Sequence, residues 1–456
     1  MSRIFISAAH KSSGKTTVCI GICAALRARG HAVQPFKKGP DYIDPLWLTL
    51  AAGRPCYNLD AYLMSETEIV GEFTHRSRHA DVALIEGNKG LYDGLDLDGG
   101  NSNAAMAALL GAPVVLVIDA RGMTRGIAPL ILGYQAFDRG IRIAGVILNQ
   151  LGGSRHEAKL RAVIEHYTDV PVLGAIQRDE SMTIAERHLG LLPSNEAQAA
   201  GARIDDIAAH VAREVDLDRL LAVARHAAPM QGCAPICAAV RAPSVRIGIA
   251  RDAAFSFYYP GDLEALRDAG AELVAFDALR DKRLPNVDGL FIGGGFPETQ
   301  MDGLAANDEL RRDVRGAIEA GLPAYAECGG LMYLARGIEW NGRRAEMVGA
   351  IPADIVMHAR PVGRGYVHLR ETGRGLWPQP REDRARLVRA HEFHYSSVEN
   401  LPPGMAFAYD VERGHGIDGR RDGMIYKNLL ASFSHLRDVG SHHWAARFVE
   451  FVRRCK

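Results

Sequence analysis

The chain of 456 residues is long enough for two or three domains, and its 47% hydrophobic and 24% charged content is that of an ordinary globular protein. Its 54 basic side chains balance 54 acidic ones, which argues against a nucleic-acid-binding surface at the level of the whole chain. No apolar run approaches the roughly 20 residues that span a bilayer, and the first residues lack the pattern of a secretory signal. Seven scattered cysteines indicate reduced thiols and a cytoplasmic protein.

Short β-branched runs alternate with helical stretches through the first half of the chain. The predicted helices include 15–29 and 103–110. Near-continuous apolar strands joined by helical crossovers indicate an α/β fold with a parallel sheet covered on both faces. The predicted strands are 3–8, 32–37, 82–85, 114–118 and 143–148.

A segment rich in proline and small residues, 226–244, breaks this pattern and is predicted to be a linker. It divides the chain into an N-terminal domain, 1–225, and a C-terminal domain, 245–456, which opens a second α/β series with the strand "VRIGIA". Cys233 and Cys237 lie in the linker. Because no second pair follows at zinc-ligand spacing, we do not expect them to bind a metal.

Residues 9–16 follow the first predicted strand and end as a phosphate-binding loop does. Gly14, Lys15 and Thr16 match the end of the pattern G-x-x-x-x-G-K-[ST], whereas Ala9 replaces its first glycine. Backbone N–H groups between a strand and a helix can surround phosphate oxygens, and the Thr16 hydroxyl can bind Mg²⁺. A simple Ser/Gly-rich turn is the alternative. The ATP-binding residues predicted in this loop are Ser13, Gly14, Lys15, Thr16 and Thr17.

Side chains at the ends of other strands complete this predicted site. Glu86 closes the apolar strand "DVALIE", and Asp41 follows the second strand in "KKGPDYIDP". The carboxyl ends of parallel strands meet at one sheet edge, and Mg²⁺ prefers oxygen ligands, so Thr16, Asp41 and Glu86 are predicted to bind the metal. Asn149, at the end of "GVILNQ", is predicted to read the adenine edge.

Cys328, in "AYAECGGLMYLA", is predicted to lie between a buried strand and a helix. The two glycines after it permit a tight turn that presents the thiol, and a helix N-terminus favours the thiolate. Backbone N–H groups of Gly329, and of Gly294 and Gly295 in "GGGFPE", are predicted to bind an oxyanion. An inert buried thiol is the alternative.

A thiolate nucleophile needs a base, usually a histidine distant in sequence. His435, in "LLASFSHLRD", follows an apolar, strand-like run that places it at a sheet edge, and it is the preferred candidate. The "HEFH" segment at 391–394 does not match the H-E-x-x-H zinc helix and is interpreted as a structural or interface motif near this site. The other candidate histidines are His391, His394, His442 and His443.

One reaction class needs both a phosphate loop and a Cys–His pair. A thiol cleaves glutamine through a thioester and releases ammonia, while ATP converts a carboxylate into an acyl phosphate that ammonia turns into an amide. The phosphorylation is needed because a carboxylate has no adequate leaving group in water. The sequence therefore predicts a glutamine-dependent, ATP-driven carbon–nitrogen ligase.

Segments spread over nearly the whole chain support this prediction. They are "SSGKTT", "VQPFKKGPDYIDP", "IEGNKGLYDG", "GVILNQ", "FYYPGDLEALRDAGAELV", "IGGGFPE", "AYAECGGLMYL", "HEFHYSS" and "LLASFSHL". In this order and spacing they resemble the cobyrinic acid a,c-diamide synthase family. The resemblance implies an N-terminal P-loop domain like dethiobiotin synthetase, with a parallel sheet, and a C-terminal α/β domain like class I glutamine amidotransferases.

The resemblance also implies the reaction and its residues. The a and c acetate carboxylates of a tetrapyrrole polycarboxylate, cobyrinic acid in the first place, would be amidated with ATP, Mg²⁺ and either L-glutamine or ammonia. Cys328 would be the nucleophile, activated by His435, and a homodimer is compatible with the family. The residues implied to hold ATP and Mg²⁺ are Lys15, Thr16, Asp41 and Glu86. Those implied to face the substrate carboxylate or the intermediate are Tyr42, Ile43 and Asp93.

Departures from the family pattern leave the substrate open. The first loop contains His10 and Lys11, and the second has Asn88–Lys89 in place of V-M. Extra positive charge from Lys11, Lys38 and Lys89 suits a polyanionic tetrapyrrole, but it also fits a different one. A sirohaem-type tetrapyrrole is therefore the main rival substrate.

Two alternatives from other classes remain. One is a lone ligase of the biotin-pathway carboxylase type with an inert C-terminal domain, which would hydrolyse no glutamine. The other is a partitioning ATPase that uses nucleotide as a switch. Such proteins carry a lysine five residues before the loop lysine, where this chain has His10. A switch also leaves Cys328 unexplained. ADP formation that requires DNA or a partner protein, without glutamine hydrolysis, would support this alternative.

Overall fold

The computed structural model of the protein describes residues 1–187, 190–196, 199–230, 241–380, 383, 386–440 and 442–456. The chain forms two compact units, Met1–Ile236 and Cys237–Lys456. Of the predicted linker, residues 231–240, including Cys233 and Cys237, lie outside the described residues. Each unit contains one large β-sheet and one candidate site, described in turn below.

The first unit is built from alternating strands and helices. Its strands are β1 (Ser2–Ala8), β2 (Val33–Lys38), β3 (Tyr57–Leu59), β4 (Val82–Glu86), β5 (Val114–Asp119), β6 (Ile143–Leu151), β7 (Val172–Gln177), β8 (Glu186–Arg187) and β9 (Gly190–Leu191). Its helices are α1 (Lys15–Ala28), α2 (Ile43–Ala52), α3 (Glu66–Ser77), α4 (Asn103–Leu109), α5 (Ile127–Phe137), α6 (Ser154–Tyr167), α7 (Ala200–Glu214) and α8 (Leu217–Arg225), with a 3-10 turn at Glu180–Met182.

Strands β1 to β7 form one parallel sheet in the order β3-β2-β4-β1-β5-β6-β7. β1, β4 and β5 are buried at almost every position, as expected of a parallel sheet covered on both faces. The predicted parallel sheet and its five strands are confirmed, with ends displaced by three residues or fewer. The strand order changes direction at β1, and ligands bind at the carboxyl ends of strands at such a switch point.

The second unit is richer in strands. They are β10 (Val245–Ala250), β11 (Phe255–Phe257), β12 (Ala271–Phe276), β13 (Gly289–Ile292), β14 (Gly294–Gly295), β15 (Ala324–Glu327), β16 (Gly337–Trp340), β17 (Arg343–Glu346), β18 (Asp354–Met357), β19 (Gly363–Glu371), β20 (Val388–His394), β21 (Ser396–Glu399), β22 (Ala406–Arg413), β23 (Arg421–Tyr426) and β24 (Leu429–Ser432). Its helices are α9 (Pro260–Asp268), α10 (Met301–Ala306), α11 (Asp308–Glu319), α12 (Gly329–Leu334) and α13 (Trp444–Cys455), with a 3-10 turn at Pro297–Gln300.

The large sheet of this unit has the order β12-β10-β13-β15-β24-β23-β22-β19-β20. The strands from β12 to β24 run parallel, and the pairings from β24 to β20 are antiparallel. Alternate residues of β15 enter two separate apolar cores: Ala324 and Ala326 belong to one core, and Tyr325 belongs to the other. A second sheet, β17-β16-β18-β21, packs nearby through Ile338 and Ile355, which share the first core.

The described residues lack both a membrane-spanning helix and a disulfide bond. Among these residues, no helix combines the length and apolar character required to cross a membrane. The five cysteines in the described ranges are unpaired, and four of them are buried.

Candidate active sites

The loop between β1 and α1 has the shape of a phosphate-binding loop. Gly14 ends it with a positive φ of 78°, and α1 begins at Lys15. A side chain at position 14 would be strained by this φ and would displace Asn149, because a Cβ there would lie 2.2 Å from Asn149 Nδ2. Asn149 Nδ2 donates to the Ser13 carbonyl oxygen at 2.9 Å, and Ser13 Oγ donates to the His10 carbonyl oxygen at 2.8 Å. Asn149 therefore holds the loop, and its contact with adenine stays a prediction.

A cavity of about 230 Å³ adjoins this loop. Its walls combine loop residues with amide side chains and apolar ones, a mixture that suits a nucleoside. Thr17, predicted to bind ATP, is among the lining residues. The others include Ser12, Gly14, Val18, Asn149, Gln177 and Ile184.

Glu86, at the end of β4, is the centre of the predicted metal site. Its side chain is fully buried, and its Oε1 accepts hydrogen bonds from Lys15 Nζ at 2.9 Å and from Thr16 Oγ1 at 2.6 Å. The structure thus brings together three residues that the sequence placed at one sheet edge. The reason is topological, because β4 is the parallel neighbour of β1 and its last residue lies beside the start of α1.

Two charged residues that the sequence analysis did not assign complete this cluster. Lys37 Nζ lies 3.0 Å from Glu86 Oε1 and 3.7 Å from Asp41 Oδ2, and it also forms an ion pair with Asp44. Asp44 Oδ2 accepts from Thr16 Oγ1 at 3.2 Å. Burial alone would lower the pKa of Lys37, but Asp44, Glu86 and Asp41 hold it well above its ordinary value.

The two aspartates respond to this setting in opposite ways. Burial raises the pKa of Asp41 to about 7, with Asp44 adding to the effect. Burial also opposes ionisation of Asp44, but Lys37 and Lys15 outweigh it and lower the pKa of Asp44. Each lysine therefore has an ionised carboxylate partner, and Asp41 is the acid whose charge is least compensated.

The cluster suits a hard divalent cation that also binds phosphate. Glu86 Oε2 is buried and has no hydrogen-bond partner among the described residues, so an electropositive ligand would satisfy it. The described residues contain no group of three or more His, Cys, Asp or Glu side chains arranged as a ready metal cage. Mg²⁺ needs no such cage, because it is usually held by one or two carboxylates together with substrate phosphates.

The loop after β4 carries Asp93 close to the phosphate loop. Leu91 N donates to the Ala8 carbonyl oxygen at 2.9 Å, and Gly90 N donates to Asp93 Oδ2 at 2.9 Å. A Cβ at position 90 would lie 2.7 Å from the Ala9 carbonyl oxygen. Asp93 is exposed beside this contact.

The other two residues expected near the substrate are buried at the start of α2. Tyr42 and Ile43 are 9% and 8% exposed, and Ile43 N donates to Asp41 Oδ1 at 2.9 Å. Asp41 thus caps α2 while its other carboxylate oxygen faces Lys37. A substrate contact for Tyr42 and Ile43 stays a prediction.

Of the three lysines expected to supply extra positive charge, Lys11 and Lys89 are exposed, whereas Lys38 is only 2% exposed. Lys38 Nζ donates to the carbonyl oxygen of Asn101 and, at 3.1 Å, to Asn101 Oδ1. Burial lowers the pKa of Lys38 to about 8, although Asp60 opposes the effect. Lys38 therefore holds the loop after β4 and is not a free surface charge.

In the second unit, Cys328 stands at the turn between β15 and α12. Its backbone has φ 47° and ψ −102°, a conformation that costs about 1–3 kcal/mol for a residue with a side chain. Two backbone bonds hold it: Cys328 N donates to the Ser432 carbonyl oxygen at 2.7 Å, and Met332 N donates to the Cys328 carbonyl oxygen at 3.0 Å. The predicted strand–turn–helix around the thiol is confirmed.

The glycines predicted to bind an oxyanion lie around this turn. Gly294 and Gly295 form β14, which pairs with β11. A Cβ at Gly329 would lie 2.9 Å from Gly295 N, and one at Gly294 would lie 2.7 Å from His435 Cε1. The structure therefore gathers all three glycines around the thiol, while their role toward an oxyanion stays a prediction.

His435 meets Cys328 because β24 is the parallel neighbour of β15, with Glu327 opposite Ser432. Its side chain is 3% exposed and is hydrogen-bonded to the Cys328 thiol. Burial alone would lower the pKa of His435, but the hydrogen bonds with Cys328 and Glu327 raise it to about 10. Both contacts therefore favour a protonated imidazole beside the predicted nucleophile.

Glu327, which the sequence analysis did not select, is the third member of this group. Its Oε2 lies 3.3 Å from His435 Nδ1, and its Oε1 accepts from Tyr325 Oη at 2.6 Å and from Leu436 N at 3.0 Å. The signal was present in the sequence as an acid directly before the cysteine in "AECGG". It was not interpretable there, because the histidine that it contacts lies 108 residues away.

The remaining histidines occupy other positions. His391 stacks on His435 with ring centroids 4.9 Å apart, and burial lowers the pKa of His391 well below its ordinary value, so it is neutral. His394 stacks on Phe433, His442 is buried beside Arg447, and the side chain of His443 is largely exposed. The interpretation of "HEFH" as a motif near the site is therefore confirmed for its first histidine.

Two family models match the chain. The model of the CobB/CobQ-like glutamine amidotransferase domain matches residues 246–439, the part that contains Cys328, His435 and Glu327. The model of an AAA domain matches residues 2–186, the part that contains the phosphate loop and Glu86. Each matched domain corresponds to one of the two described sites.

Curated relatives are similar over the whole length. The cobyrinate a,c-diamide synthase of Magnetococcus marinus is 48% identical, over 99% of this chain and 97% of the relative. Proteins of the same name from Methanosarcina acetivorans and Archaeoglobus fulgidus are 42% and 41% identical, over 98% and 100% of this chain and 95% and 98% of the relatives. The chain belongs to the cobyrinate a,c-diamide synthase family.

Proposed function

We propose that this chain uses ATP and the amide nitrogen of glutamine to convert the a and c acetate carboxylates of cobyrinic acid into amides. The observation that carries the proposal is that one chain holds both an energising cluster around Lys15 and Glu86 and a Cys328–His435 pair. Relatives named for this reaction match the chain along its whole length. A nucleotide switch would leave the second cluster without a use.

The glutamine half of the reaction starts at the thiol. Cys328 Sγ, as thiolate, attacks the side-chain amide carbon of glutamine, and the carbonyl oxygen becomes an oxyanion beside Gly295 and Gly329. His435 gives its proton to the departing nitrogen, which leaves as ammonia, and a thioester remains. Water then cleaves the thioester, returning the thiol and releasing glutamate.

The ATP half uses the first unit. A substrate carboxylate oxygen attacks the γ-phosphorus of ATP, ADP leaves, and an acyl phosphate forms. Lys15 would stabilise the charge on the transferred group, and the backbone of the loop ending at Gly14 would hold the phosphates. Ammonia then attacks the acyl carbon and expels phosphate, leaving the amide.

Mg²⁺ fits this site on the evidence of its oxygen donors. The residues that would hold it are Thr16, Asp41 and Glu86, and Asp44 is a fourth candidate found only in the structure. A bound Mg²⁺ would neutralise phosphate charge. Lys37 pairs with Asp41, Asp44 and Glu86 and so places one buried positive charge among the three carboxylates.

The sirohaem-type substrate is the rival within the same family. The test is to incubate the purified full-length protein with ATP, Mg²⁺ and glutamine, together with either cobyrinic acid or sirohaem, and to analyse the products by mass spectrometry. We expect two exchanges of hydroxyl for amino on cobyrinic acid. Amidation of sirohaem while cobyrinic acid stays unchanged would contradict the proposed substrate. A homodimer and a cytoplasmic location stay predictions.

A further inference from the structure

Glu327 is placed to act on the base of the glutamine site. It is the last residue of β15, its side chain is 3% exposed, and it follows Tyr325 by two residues, so the two side chains lie on the same face of the strand. Tyr325 Oη and Leu436 N both donate to Oε1. Oε2 is thereby left to face His435 Nδ1 at 3.3 Å.

We infer that Glu327 is the positioning carboxylate of this site: it fixes the His435 ring with Nε2 toward Cys328 and stabilises the ring in its protonated form. The inference rests on the proposed glutamine hydrolysis and adds to it a residue that acts through His435 without touching the substrate. It turns a two-residue arrangement into a Cys–His–Glu series in which the acid and the nucleophile are adjacent in the chain.

The geometry of Glu327 supports a directed role. A carboxylate held by two donors on one oxygen cannot rotate freely, so its second oxygen has a fixed direction. With Nδ1 engaged, Nε2 is the ring nitrogen available to the thiol, and the hydrogen bond made by one nitrogen decides what the other one does. The stacked ring of His391 further limits rotation of the His435 ring.

Other nearby carboxylates are engaged differently. Asp262 Oδ1 accepts from Asp438 N at 3.0 Å, and burial raises the pKa of Asp262 to about 8. Asp422 accepts from Phe433 N and Ser434 N, and so it shapes the loop that leads to His435. The titratable groups that interact electrostatically with Glu327 or His435 include, besides Cys328, Tyr258, Tyr325, Tyr409, His391 and Asp262, and Arg437 acts in turn on His391 and Asp262.

The test is the variant Glu327→Gln in the full-length protein. The amide oxygen can still accept from Tyr325 and Leu436, but the NH₂ group would face His435 Nδ1 and favour the tautomer that carries its proton on Nε2. That tautomer cannot take a proton from the thiol. We expect kcat for glutamine hydrolysis to fall by roughly two orders of magnitude or more, with a much smaller change in KM.

A second measurement separates this role from a structural one. The rate at which iodoacetamide alkylates Cys328 should rise with pH as the thiolate forms and change again as His435 loses its proton. The charge of Glu327 favours the imidazolium–thiolate pair. In Glu327→Gln the pH at which the thiolate forms, the lower alkylation limit, should therefore rise. The pH at which His435 loses its proton, the upper alkylation limit, should fall. Unchanged limits in a folded variant, or glutaminase at the unmutated rate, would overturn the inference.

Glu392→Gln is the matched control, because Glu392 is another buried glutamate in the same sheet, held by His415 N and Gly416 N. We expect its alkylation limits to equal those of the unmutated protein, and equal displacement in both variants would count against a specific role for Glu327. If Glu327→Gln does not fold, Glu327→Asp is measured instead. Glu327→Asp keeps the charge but shortens its reach, so kcat should fall while both alkylation limits stay close to those of the unmutated protein. Full glutaminase activity in Glu327→Asp would overturn the inference.

Two assays keep this inference separate from the proposed function. Ammonia-driven amidation does not use the thiol site, so Glu327→Gln should support it at the unmutated rate. Failure of the unmutated protein to amidate cobyrinic acid would refute the proposed function, while the glutaminase and alkylation assays would still decide the role of Glu327.

Discussion

At the scale of single residues, Lys37 and Glu86 show how the first unit keeps several charges buried together. Glu86 Oε1 is shared by Lys15, Thr16 and Lys37, while Lys37 also pairs with Asp41 and Asp44. Burying any one of these charges alone would be costly. The cluster is therefore stable only as a set.

Removing Lys37 tests this view. In Lys37→Met, three carboxylates lose their shared partner, and the local free energy of opening of β2 and β4 should fall by about 3–5 kcal/mol. Native-state hydrogen exchange of the amides in these strands measures the loss for the first unit alone.

The control for this variant is Arg29→Met. Arg29 forms an ion pair of 3.4 Å with Asp218 on the surface of the same unit, with 40% and 88% of the side chains exposed. Its removal should change the local free energy by at most about 1 kcal/mol. Equal effects of the two substitutions would show that Lys37 does not hold the cluster together.

The sequence predicted Lys15, Thr16, Asp41 and Glu86 but not Lys37 or Asp44, and the reason is physical. Two lysines and two aspartates lie within eight residues in "KKGPDYID". Which of them turns toward Glu86 depends on how β2 meets β4, a long-range pairing. Glu327 was missed for the same reason, because its partner is distant in sequence.

At the scale of elements, the turn from β15 to α12 places the thiol. Gly330 lets α12 approach β13, since a Cβ there would lie 2.2 Å from the Ile292 carbonyl oxygen. Backbone atoms cannot yield as a flexible side chain can, so α12 would have to move, and Cys328 with it. The sequence predicted this turn because a nucleophile followed by two glycines is a local signal.

Gly330→Ala should therefore reduce glutamine-driven amidation by at least tenfold and lower the stability of the second unit by about 1–3 kcal/mol. Gly316→Ala is its matched control, because Gly316 lies inside α11 with no atom within 4 Å of a new Cβ. That change should leave activity intact and stabilise the helix by up to about 1 kcal/mol. The measurement is the amidation rate of each variant with glutamine and with ammonia as the nitrogen source. Loss of ammonia-driven turnover in Gly330→Ala would contradict the view that Gly330 acts only through the position of the thiol.

Other elements of the second unit could not be predicted from local signals. The sheet of β16, β17, β18 and β21 is built from strands of four residues each. Its pairings join residues up to 45 positions apart, Asp354 with Glu399, through antiparallel and parallel pairs. In the first unit, by contrast, each long apolar strand can be recognised from its own residues, and its predicted ends were nearly correct.

At the scale of the whole molecule, two units with separate chemistries serve one reaction. The chain has no net charge, so a polyanionic substrate would have to be attracted locally, and the exposed Lys11 and Lys89 near the phosphate loop are the groups that offer this. The first unit, with the cluster around Lys15 and Glu86, should be needed for amidation with either nitrogen source. The second unit, with Cys328, should be needed only when glutamine is the source.

The most direct test of this claim is amidation of cobyrinic acid by Cys328→Ser and by Lys15→Ala, each measured with glutamine and then with ammonia. Cys328→Ser should lose glutamine-driven amidation and keep ammonia-driven amidation at the unmutated rate. Lys15→Ala should lose both by several orders of magnitude. Ammonia-driven turnover that persists in Lys15→Ala, or that disappears in a folded Cys328→Ser protein, would contradict the division of work between the two units.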